Sequence, residues 1–499
     1  MTQSGSDQPT GTMKTHTHHQ FSSALAPDDD HLYRTGAWRP QSTEYDAWDL
    51  DVEGEIPDDL EGTYLRNTEN PLLPAIKQYH PFDGDGMVHS ISFSNGEAQY
   101  HNRFVRTDGF RAEREAAQSL WAGVAESPSL AIESATLGAR PNMKDASSTD
   151  VVVHNGMALT SFYLCGDLYQ LDPVTLADHD RADFGGRFPS EGVSAHPQVD
   201  QHTGELLFFN YGTDHPFMHY GEVAADGELT TYRPIELPGP RLPHDMAFTE
   251  NYAIVNDLPM FWDPDAIEAG HYYPRLFGDL PSRFGVIPRG GGGEVRWFEA
   301  APTYVLHWIN AYEEGDEIVL DGFFQHDPSP APRSDLSPQH QLFRYLDLFS
   351  LQSRPHRWRF DLRDGTCREE PLSDRIMEFG MINGRHGGRR YRYSYNALPA
   401  DGWFGFEGVI KHDLETGVEE VHALDDGVYA SETVMAPRRS SRAEDDGYLV
   451  TFTMDLAKDR SQCLVFDAAD VAGGPVAAID LPERICSGTH ATWFDPGQG

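Results

Sequence analysis

Short alternating runs separated by tight turns fill the chain from about Asp49 onward. The run GMVHSISFSNGEAQYHNRFV turns at Asn95-Gly96, and VVVHNGMALTSF turns at Asn155-Gly156. Asparagine followed by glycine between alternating apolar segments is a strong hairpin signal. Helical periodicity is limited to residues 110–124 and 336–351. So many hairpins predict an all-β fold, either a β-propeller or a pair of β domains, with a blade count that the letters do not reveal.

The charge of the chain is strongly negative, at −41, and only five of its 38 basic residues are lysines. An acidic, lysine-poor surface keeps a protein hydrated in concentrated salt, where charge repulsion is screened over a few ångströms. We therefore expect a halophilic source. Nucleic acid is an unsuitable partner, because no basic stripe is present to neutralise phosphates.

The segment 1–30 is polar and lacks the apolar stretch of a signal peptide. No apolar run of about 18 residues, the length needed for a membrane span, occurs anywhere in the chain. We therefore predict a disordered polar tail over residues 1–30, one propeller domain over residues 31–499, and a cytoplasmic location.

Four of the 23 histidines stand apart by their context. His196, His244, His307 and His490 each lie at a turn or strand start beside a β-like run, and they are widely separated in the chain. A propeller would bring such strand ends together at its axis. By spacing alone, a four-histidine metal site and four unrelated polar residues both remain open.

The sequence resembles the carotenoid cleavage oxygenases, also called the retinal-pigment-epithelium or lignostilbene dioxygenase family. The match spans residues 54–494, and its blocks follow the order of the family. The blocks are EGTYLRNTENP, YHPFDGDGMVHSISF, NRFVRT, SAHPQVD, the PHD of His244, HWINAYEE, EFG, SET, AEDDGYL and THATW.

The resemblance implies a seven-bladed β-propeller with a helical and loop cap over an axial metal site. It implies one iron(II) per chain, held by His196, His244, His307 and His490. Neutral imidazoles suit ferrous iron and leave coordination positions open. The implied reaction uses O2 to cleave a carbon–carbon double bond of a hydrophobic polyene or aromatic alkene into two carbonyl products, with no catalytic residue beyond the metal centre.

Carboxylates behind the metal-binding histidines are also implied by the resemblance, because such groups fix the imidazoles by accepting a hydrogen bond from the N–H of the other ring nitrogen. Two of the family's three glutamates are present, Glu378 and Glu432, whereas Leu164 stands at the third position. By analogy, His244 would lack its carboxylate. The family pattern also places Thr149 near the iron, with β-strand packing as its equal alternative.

The substrate is suggested by a further departure from the family. Stilbene-cleaving members typically carry a lysine where this chain has Tyr163. This favours a carotenoid or apocarotenoid, with cleavage of stilbenes or phenylpropenes as the alternative. The segment 261–284 mixes aromatics with few charges, and we expect it to line a substrate tunnel or pack on the propeller, with peripheral membrane contact. The tunnel candidates are Phe261, Trp262, Tyr272, Tyr273, Phe277 and Tyr163.

Three other functions remain open from the sequence. One is isomerisation of a related substrate without O2. A second is a propeller that hydrolyses lactones or esters around calcium, which would need axial carboxylates and asparagines in place of histidines. The third is a non-catalytic propeller scaffold that keeps a vestigial site, consistent with the missing glutamate.

Overall fold

The predicted hairpins assemble into seven antiparallel blades. For each blade the strands are named from the central axis outward. The structure, a computed structural model, describes residues 13–132, 143–265 and 274–497. Blade 1 contains β34 (Ala491–Phe494), β4 (Gly62–Arg66), β5 (Met87–Ser94) and β6 (Glu97–Phe104), extended outward by β2 (Thr43–Trp48) and β1 (Lys14–Gln20). Blade 2 contains β7 (Asp150–His154), β8 (Met157–Ser161), β9 (Tyr169–Leu171) and β10 (Asp178–Arg181).

Blades 3 to 5 follow in chain order. Blade 3 contains β11 (Gln198–Val199), β12 (Leu206–Tyr211), β13 (Phe217–Val223) and β14 (Leu229–Glu236). Blade 4 contains β15 (Ala247–Phe248), β16 (Tyr252–Asp257), β19 (Ser282–Pro288) and β20 (Arg296–Ala300), beside a hairpin of β17 (Met260–Trp262) and β18 (Pro274–Leu276). Blade 5 contains β21 (Trp308–Glu314), β22 (Glu317–Gln325), β23 (Ser353–Asp361) and β24 (Cys367–Pro371).

Blades 6 and 7 form one continuous sheet, because β29 (Val428–Ala430) pairs with a strand of each. Blade 6 contains β25 (Glu378–Met381), β26 (Tyr393–Pro399), β27 (Phe406–Asp413) and β28 (Val418–Ala423). Blade 7 contains β30 (Val434–Pro437), β31 (Gly447–Asp455), β32 (Arg460–Asp467), β33 (Pro475–Asp480) and β3 (Val52–Gly54).

Burial along the strands follows their place in a blade. The central strand β31, GYLVTFTMD, is buried along its whole length, whereas the outermost strand β10, DHDR, is exposed along its whole length. Between neighbouring blades the inward side chains meet in apolar clusters; Tyr64 and Ile91 of blade 1, for example, pack with Val450 and Phe452 of blade 7. The core is therefore distributed around the ring, as in a propeller.

Two strand pairings between distant parts of the chain close the ring. The inner strand β34 pairs with β4, with Ala491 opposite Arg66. At the outer edge of blade 7, β3 pairs with β33, with Val52 opposite Ile479. Residues near both ends of the described chain thus lock the first and last blades.

The prediction of a disordered tail over residues 1–30 is wrong at residues 14–20, and residues 1–12 lie outside the described residues. Residues 14–20 form β1, which pairs with β2 from Lys14 opposite Trp48 to Gln20 opposite Thr43. The composition is misleading because β1 is an edge strand with every residue exposed, so its polar sequence resembles an unfolded segment. The boundary of a single domain at residue 31 stays a prediction.

Helices are few and short within the described ranges. Helix α1 (Asp108–Ala116) begins where the Thr107 hydroxyl oxygen accepts a hydrogen bond from the Phe110 N–H, and it ends at Ala117, which has a left-handed φ of 54°. Helix α2 (Pro338–Leu342) spans five residues. Both lie where the sequence shows helical periodicity but are shorter than the periodic segments. The helical cap over the axis stays a prediction.

Candidate metal centre

The four predicted histidines meet at the axis because each lies at the start of an inner strand. His307 directly precedes β21 and His490 directly precedes β34. His196 lies two residues before β11, and His244 three residues before β15. One ring nitrogen from each lies within 4.8 Å of the others. Residues as distant in the chain as His196 and His490 are therefore gathered into one group.

The geometry of the four imidazoles fits a shared cation. The Nε2 atoms of His196 and His244 are 3.2 Å apart. Two nitrogens about 2.1 Å from one ion and at right angles would lie about 3 Å apart. The Nε2 atom of His307 is buried and has no hydrogen-bond partner within the described ranges. A buried nitrogen without a partner is costly, so an electron-pair acceptor is expected in front of it.

Carboxylates lie behind three of the four rings. Glu378 Oε2 is 2.8 Å from His307 Nδ1, and Glu432 Oε1 is 3.4 Å from His490 Nδ1. The sequence analysis named both glutamates. It missed Asp150, whose Oδ2 lies 2.9 Å from His196 Nδ1. Asp150 is the first residue of β7, as Glu378 is of β25.

Each of the three carboxylates is itself held by a backbone amide. Asp150 Oδ1 accepts from the Val151 N–H at 2.7 Å, and Glu378 Oε2 accepts from the Phe379 N–H at 2.8 Å. Glu432 Oε2 accepts from the N–H of Ala491 at 2.5 Å. Oriented carboxylates accept a hydrogen bond from the Nδ1–H group and leave the Nε2 lone pair directed at the centre. Three imidazoles are thereby set in the tautomer that binds a metal.

His244 differs from the other three histidines. Across the described ranges no carboxylate oxygen lies within the 4.0 Å ion-pair distance of its ring nitrogens. The neighbouring Asp245 carboxylate accepts instead from the N–H groups of Met246 at 2.6 Å and Trp308 at 2.9 Å. Leu164, at the position of the missing glutamate, is buried in an apolar cluster.

The electrostatics of the group favour a cation. Burial lowers the pKa of His244 and His490 well below the ordinary value, and the neighbouring imidazoles add to this. Burial also acts on His196, but the hydrogen bond and charge of Asp150 outweigh it and raise its pKa. Burial and the nearby acidic groups raise the pKa of Glu432 well above its usual range. Buried carboxyl groups around neutral imidazoles create a site where a divalent ion would be stabilised.

Backbone strain accompanies this arrangement. His196 has a φ of 58° and Phe379 a φ of 53°, in the left-handed region that side chains other than glycine rarely adopt. Phe379 stacks on His490, with ring centroids 4.7 Å apart and an angle of 15°, and its ring also lies 4.4 Å from His307. Strained residues cluster at functional sites because the surrounding structure holds them there. Phe379 gives the centre an apolar aromatic wall that sequence analysis missed.

Thr149 lies beside the centre, one residue before Asp150. Its hydroxyl oxygen accepts from the Tyr163 N–H at 3.2 Å, and its carbonyl accepts from the Thr489 hydroxyl at 2.8 Å. Thr149 thus ties the segment that carries His490 to blade 2. A direct role of Thr149 at the metal stays a prediction.

The predicted tunnel residues do not form one continuous wall, although Tyr163 and Trp262 belong to the same apolar cluster. The Tyr163 ring contacts Phe82, with centroids 5.7 Å apart. Trp262 lines a cavity of about 230 Å³ together with Leu164. Phe261 stacks on Phe277 at 4.2 Å and lies under the Arg241 guanidinium. Tyr272 and Tyr273 lie outside the described residues. The tunnel role of this set stays a prediction.

A second cavity, of about 250 Å³, lies along the axis itself. It is lined by Asp150, His196, His307 and His490 and extends along the inner strands past Val153 and Asn310. The centre is therefore reached from this cavity, while Phe379 closes one of its sides.

The fold and the site together define a seven-bladed β-propeller with an axial four-histidine group suited to a metal. The chain belongs to the retinal pigment epithelial membrane protein family, whose sequence model matches residues 38–495. This confirms the resemblance drawn from the motifs and makes the protein a dioxygenase-type enzyme. The calcium alternative required axial carboxylates and asparagines in place of histidines, whereas the four side chains that converge on one point are imidazoles and the carboxylates lie behind them.

Individual relatives carry several substrate names. Carotenoid 9,10(9',10')-cleavage dioxygenase 1 of Phaseolus vulgaris is 31% identical over 92% of this chain and 89% of the relative. Isoeugenol monooxygenase of Pseudomonas nitroreducens is 31% identical over 92% of this chain and 97% of its own length. The relatives thus support oxygenase chemistry and leave the substrate of this chain open.

Solved structures of similar fold confirm the propeller. Pseudomonas brassicacearum lignostilbene dioxygenase superposes with a TM-score of 0.82 at 28% identity, covering 94% of this chain and 99% of that structure. Cobalt-substituted Synechocystis apocarotenoid oxygenase superposes with a TM-score of 0.80 at 27% identity, covering 93% and 98%. In the part of our chain that is described, no helix is both long and apolar enough to span a bilayer.

Proposed function

We propose that this protein is an iron(II) oxygenase that uses O2 to cleave a carbon–carbon double bond of a carotenoid or apocarotenoid. The observation that carries the proposal is the axial group of four imidazoles, three of them fixed by buried carboxylates. Bound iron would supply the activation of O2 needed to convert the double bond and one O2 into two carbonyl groups. One ion per chain is expected from the single group of ligands found in the described ranges.

The residues of this chain have three tasks in the proposed reaction. The carboxylates of Asp150, Glu378 and Glu432 hold imidazole Nε2 lone pairs toward the centre. Phe379 covers two of the rings and keeps water from that side. Phe404 and Phe406 lie against Phe379, at 5.8 Å and 4.8 Å, and extend the apolar wall that a polyene would contact.

The lysines support a carotenoid over a phenolic stilbene. Lys144 is buried, with its ammonium 2.8 Å from Asp85 and 3.1 Å from Glu113. The Lys411 ammonium lies 2.8 Å from Asp445. Neither is available to bind a phenol oxygen, and Tyr163 stands where stilbene-cleaving relatives are expected to have a lysine. Cleavage of stilbenes or phenylpropenes stays the second candidate, favoured by the similarity to lignostilbene dioxygenase and isoeugenol monooxygenase.

Product analysis with a substrate panel tests the proposal. The protein is reconstituted with ferrous iron and supplied with carotenoids, apocarotenoids, stilbenes and phenylpropenes under ¹⁸O₂, and carbonyl products are identified by mass spectrometry. We expect labelled apocarotenoid aldehydes, loss of product in His490→Ala, and unchanged product in His179→Ala, an exposed histidine on β10.

Other outcomes of this panel are equally informative. Products from stilbenes alone would replace our substrate assignment with the second candidate. Isomerised product formed without O2 would contradict cleavage, and no turnover by the metal-loaded protein on any substrate would favour a scaffold. Metal analysis showing an ion other than iron as the active species would overturn the cofactor assignment.

We also propose that the protein works in concentrated salt. The net charge of −41 supports this, because screening over a few ångströms removes most repulsion between surface carboxylates. The melting temperature should rise as KCl is raised from about 0.2 M to about 3 M, where the Debye length falls below about 3 Å. A melting temperature that falls over this range would contradict the assignment. Peripheral membrane contact remains a prediction, tested by co-sedimentation with lipid vesicles.

A further inference from the structure

A side chain that binds protons or metals lies at or just before the start of each of the seven inner strands. Four blades supply histidines, and the other three supply carboxylates. In order from blade 1 to blade 7 these residues are His490, Asp150, His196, His244, His307, Glu378 and Glu432. The axis is thus a ring of seven such groups, of which the sequence analysis recognised six.

The carboxylates and imidazoles pair between neighbouring blades. Glu378 of blade 6 contacts His307 of blade 5, and Glu432 of blade 7 contacts His490 of blade 1. Asp150 of blade 2 contacts His196 of blade 3. Blade 4 lies between two blades that carry histidines, so no neighbouring inner strand can offer His244 a carboxylate. This explains why a carboxylate for His244 would have to come from outside the ring.

The contact between Asp150 and His196 is built as firmly as the contact of Glu378. The Asp150 side chain is 11% exposed. Both of its oxygens are engaged, Oδ1 by the Val151 N–H and Oδ2 by His196 Nδ1. The Asp150 carbonyl accepts from the Asn67 side-chain amide at 3.1 Å, which joins the start of β7 to blade 1. The carboxylate therefore has one orientation, toward His196.

We infer that Asp150 is a positioning residue that fixes His196 for metal binding, and that it supplies the third carboxylate that Leu164 no longer provides. The inference rests on the proposed metal centre. We call an imidazole anchored when a carboxylate contacts its Nδ1 atom. The anchored imidazoles are those of His196, His307 and His490, and the imidazole of His244 is unanchored. Asp150 acts through His196, because its carboxylate contacts the Nδ1 side of the ring and leaves Nε2 to the metal.

A metal-binding series tests this role without relying on turnover. Apoprotein is titrated with cobalt(II) alone, and the dissociation constant and the visible absorption bands are measured for wild type and for Asp150→Asn, Asp150→Glu and Asp178→Asn. An amide at position 150 would present N–H groups to His196 Nδ1 and favour the tautomer with its proton on Nε2. We expect Asp150→Asn to weaken cobalt binding about 10- to 100-fold and to shift the bands.

The companion variants separate positioning from general packing. Asp150→Glu keeps the charge and should bind within a few-fold of wild type, and the exposed strand residue Asp178 should tolerate Asn without change. If the Asn variant does not fold, as judged by circular dichroism of the apoprotein, the pair Asp150→Glu and Asp150→Gln makes the same comparison at equal length.

Two results would overturn the inference while leaving the metal centre standing. One is a cobalt dissociation constant within twofold of the wild-type value in Asp150→Asn, or in Asp150→Gln where that variant replaces it. The other is equal loss in the Glu and amide variants, which would indicate packing alone. If wild type itself binds no cobalt or iron, the proposed function fails instead, so the two failures are distinguishable.

Discussion

Three of the axial histidines contrast with the fourth in how they are held. His196, His307 and His490 each have a carboxylate from a neighbouring blade behind the ring, whereas His244 is half-buried and has none within the described ranges. The adjacent residue in the chain, Asp245, is bonded to backbone amides. The difference shows that imidazole orientation here depends on the order of blades around the ring, not on the residues next to the histidine in sequence.

Removing an anchored and an unanchored imidazole should have unequal effects on the apoprotein. His307→Ala leaves the fully buried Glu378 without its partner, whereas His244→Ala orphans no carboxylate. Leaving a buried acceptor without its hydrogen-bond donor costs about 1–3 kcal/mol, so the His307 variant should be less stable than the His244 variant by about 2 kcal/mol. Urea unfolding of the metal-free proteins measures this difference, and both variants should lose bound metal. Equal free energies of unfolding for the two variants would show that the Glu378 contact does not stabilise the apoprotein.

Neutralising an anchor should weaken metal binding without removing a ligand. Glu378→Gln is expected to lower metal affinity by about 10- to 100-fold, because the amide no longer selects the His307 tautomer. Competition with a chromophoric chelator gives the affinity, and Glu370→Gln, on the outer strand β24, provides the control. Wild-type affinity in the Glu378 variant would show that the contact is not used.

Returning a glutamate to position 164 tests whether His244 can be anchored from outside the ring. Leu164 packs among apolar residues that include Tyr211 and Trp262. The cavity that Leu164 lines includes none of the four histidines. We expect Leu164→Glu to lower the free energy of unfolding by about 2 kcal/mol, since a polar group is buried without a partner, and to leave metal affinity unchanged. Thermal unfolding is compared with that of Leu164→Met, and tighter metal binding by the Glu variant would contradict this expectation.

A buried imidazole away from the axis provides the smallest test. His89 on β5 is fully buried, and its Nδ1 lies 2.8 Å from the Tyr100 hydroxyl. Burial, with a further contribution from Arg66, holds its pKa well below the ordinary value. The unfolded chain takes up a proton on this residue below about pH 6.5 while the folded chain does not, so stability falls with decreasing pH.

The magnitude of the His89 effect follows from the uptake of one proton on unfolding. His89 lowers the free energy of unfolding by about 1.4 kcal/mol for each pH unit below about pH 6.5. His89→Gln, which keeps a hydrogen-bonding side chain but does not titrate, should have a correspondingly shallower acid slope in urea unfolding between about pH 6.5 and about pH 5. Identical slopes for wild type and variant would contradict a neutral buried imidazole.

The all-β class was predictable from sequence because local patterns encode it, whereas the grouping of the four axial histidines followed from the family resemblance. Asn-Gly turns define hairpins wherever they occur, and the strand starts that carry His196, His244, His307 and His490 are visible as turns beside β runs. The family motifs added the blade number, which the hairpins alone did not give.

Contacts between distant elements could not be predicted in the same way. Asp150 follows Thr149 in what looks like an ordinary strand edge, and only the ring places it behind His196. The polar strand β1 ends at Gln20, and its partner, β2, begins only at Thr43. Because the two strands are far apart in sequence, β1 resembles an unfolded tail. In both cases the deciding partner lies in another element, and no local propensity reveals it.

The pairing of β34 with β4 has a consequence for how the protein is made. Chains grow from the amino terminus at about 5–20 residues per second, and domains tend to fold as they emerge. His196, His244 and His307 leave the ribosome first, whereas His490 follows only after the strands of blades 5, 6 and 7. Until His490 emerges, a nascent chain can therefore present at most three of the four imidazoles, so the complete four-histidine group forms only when β34 joins its blade.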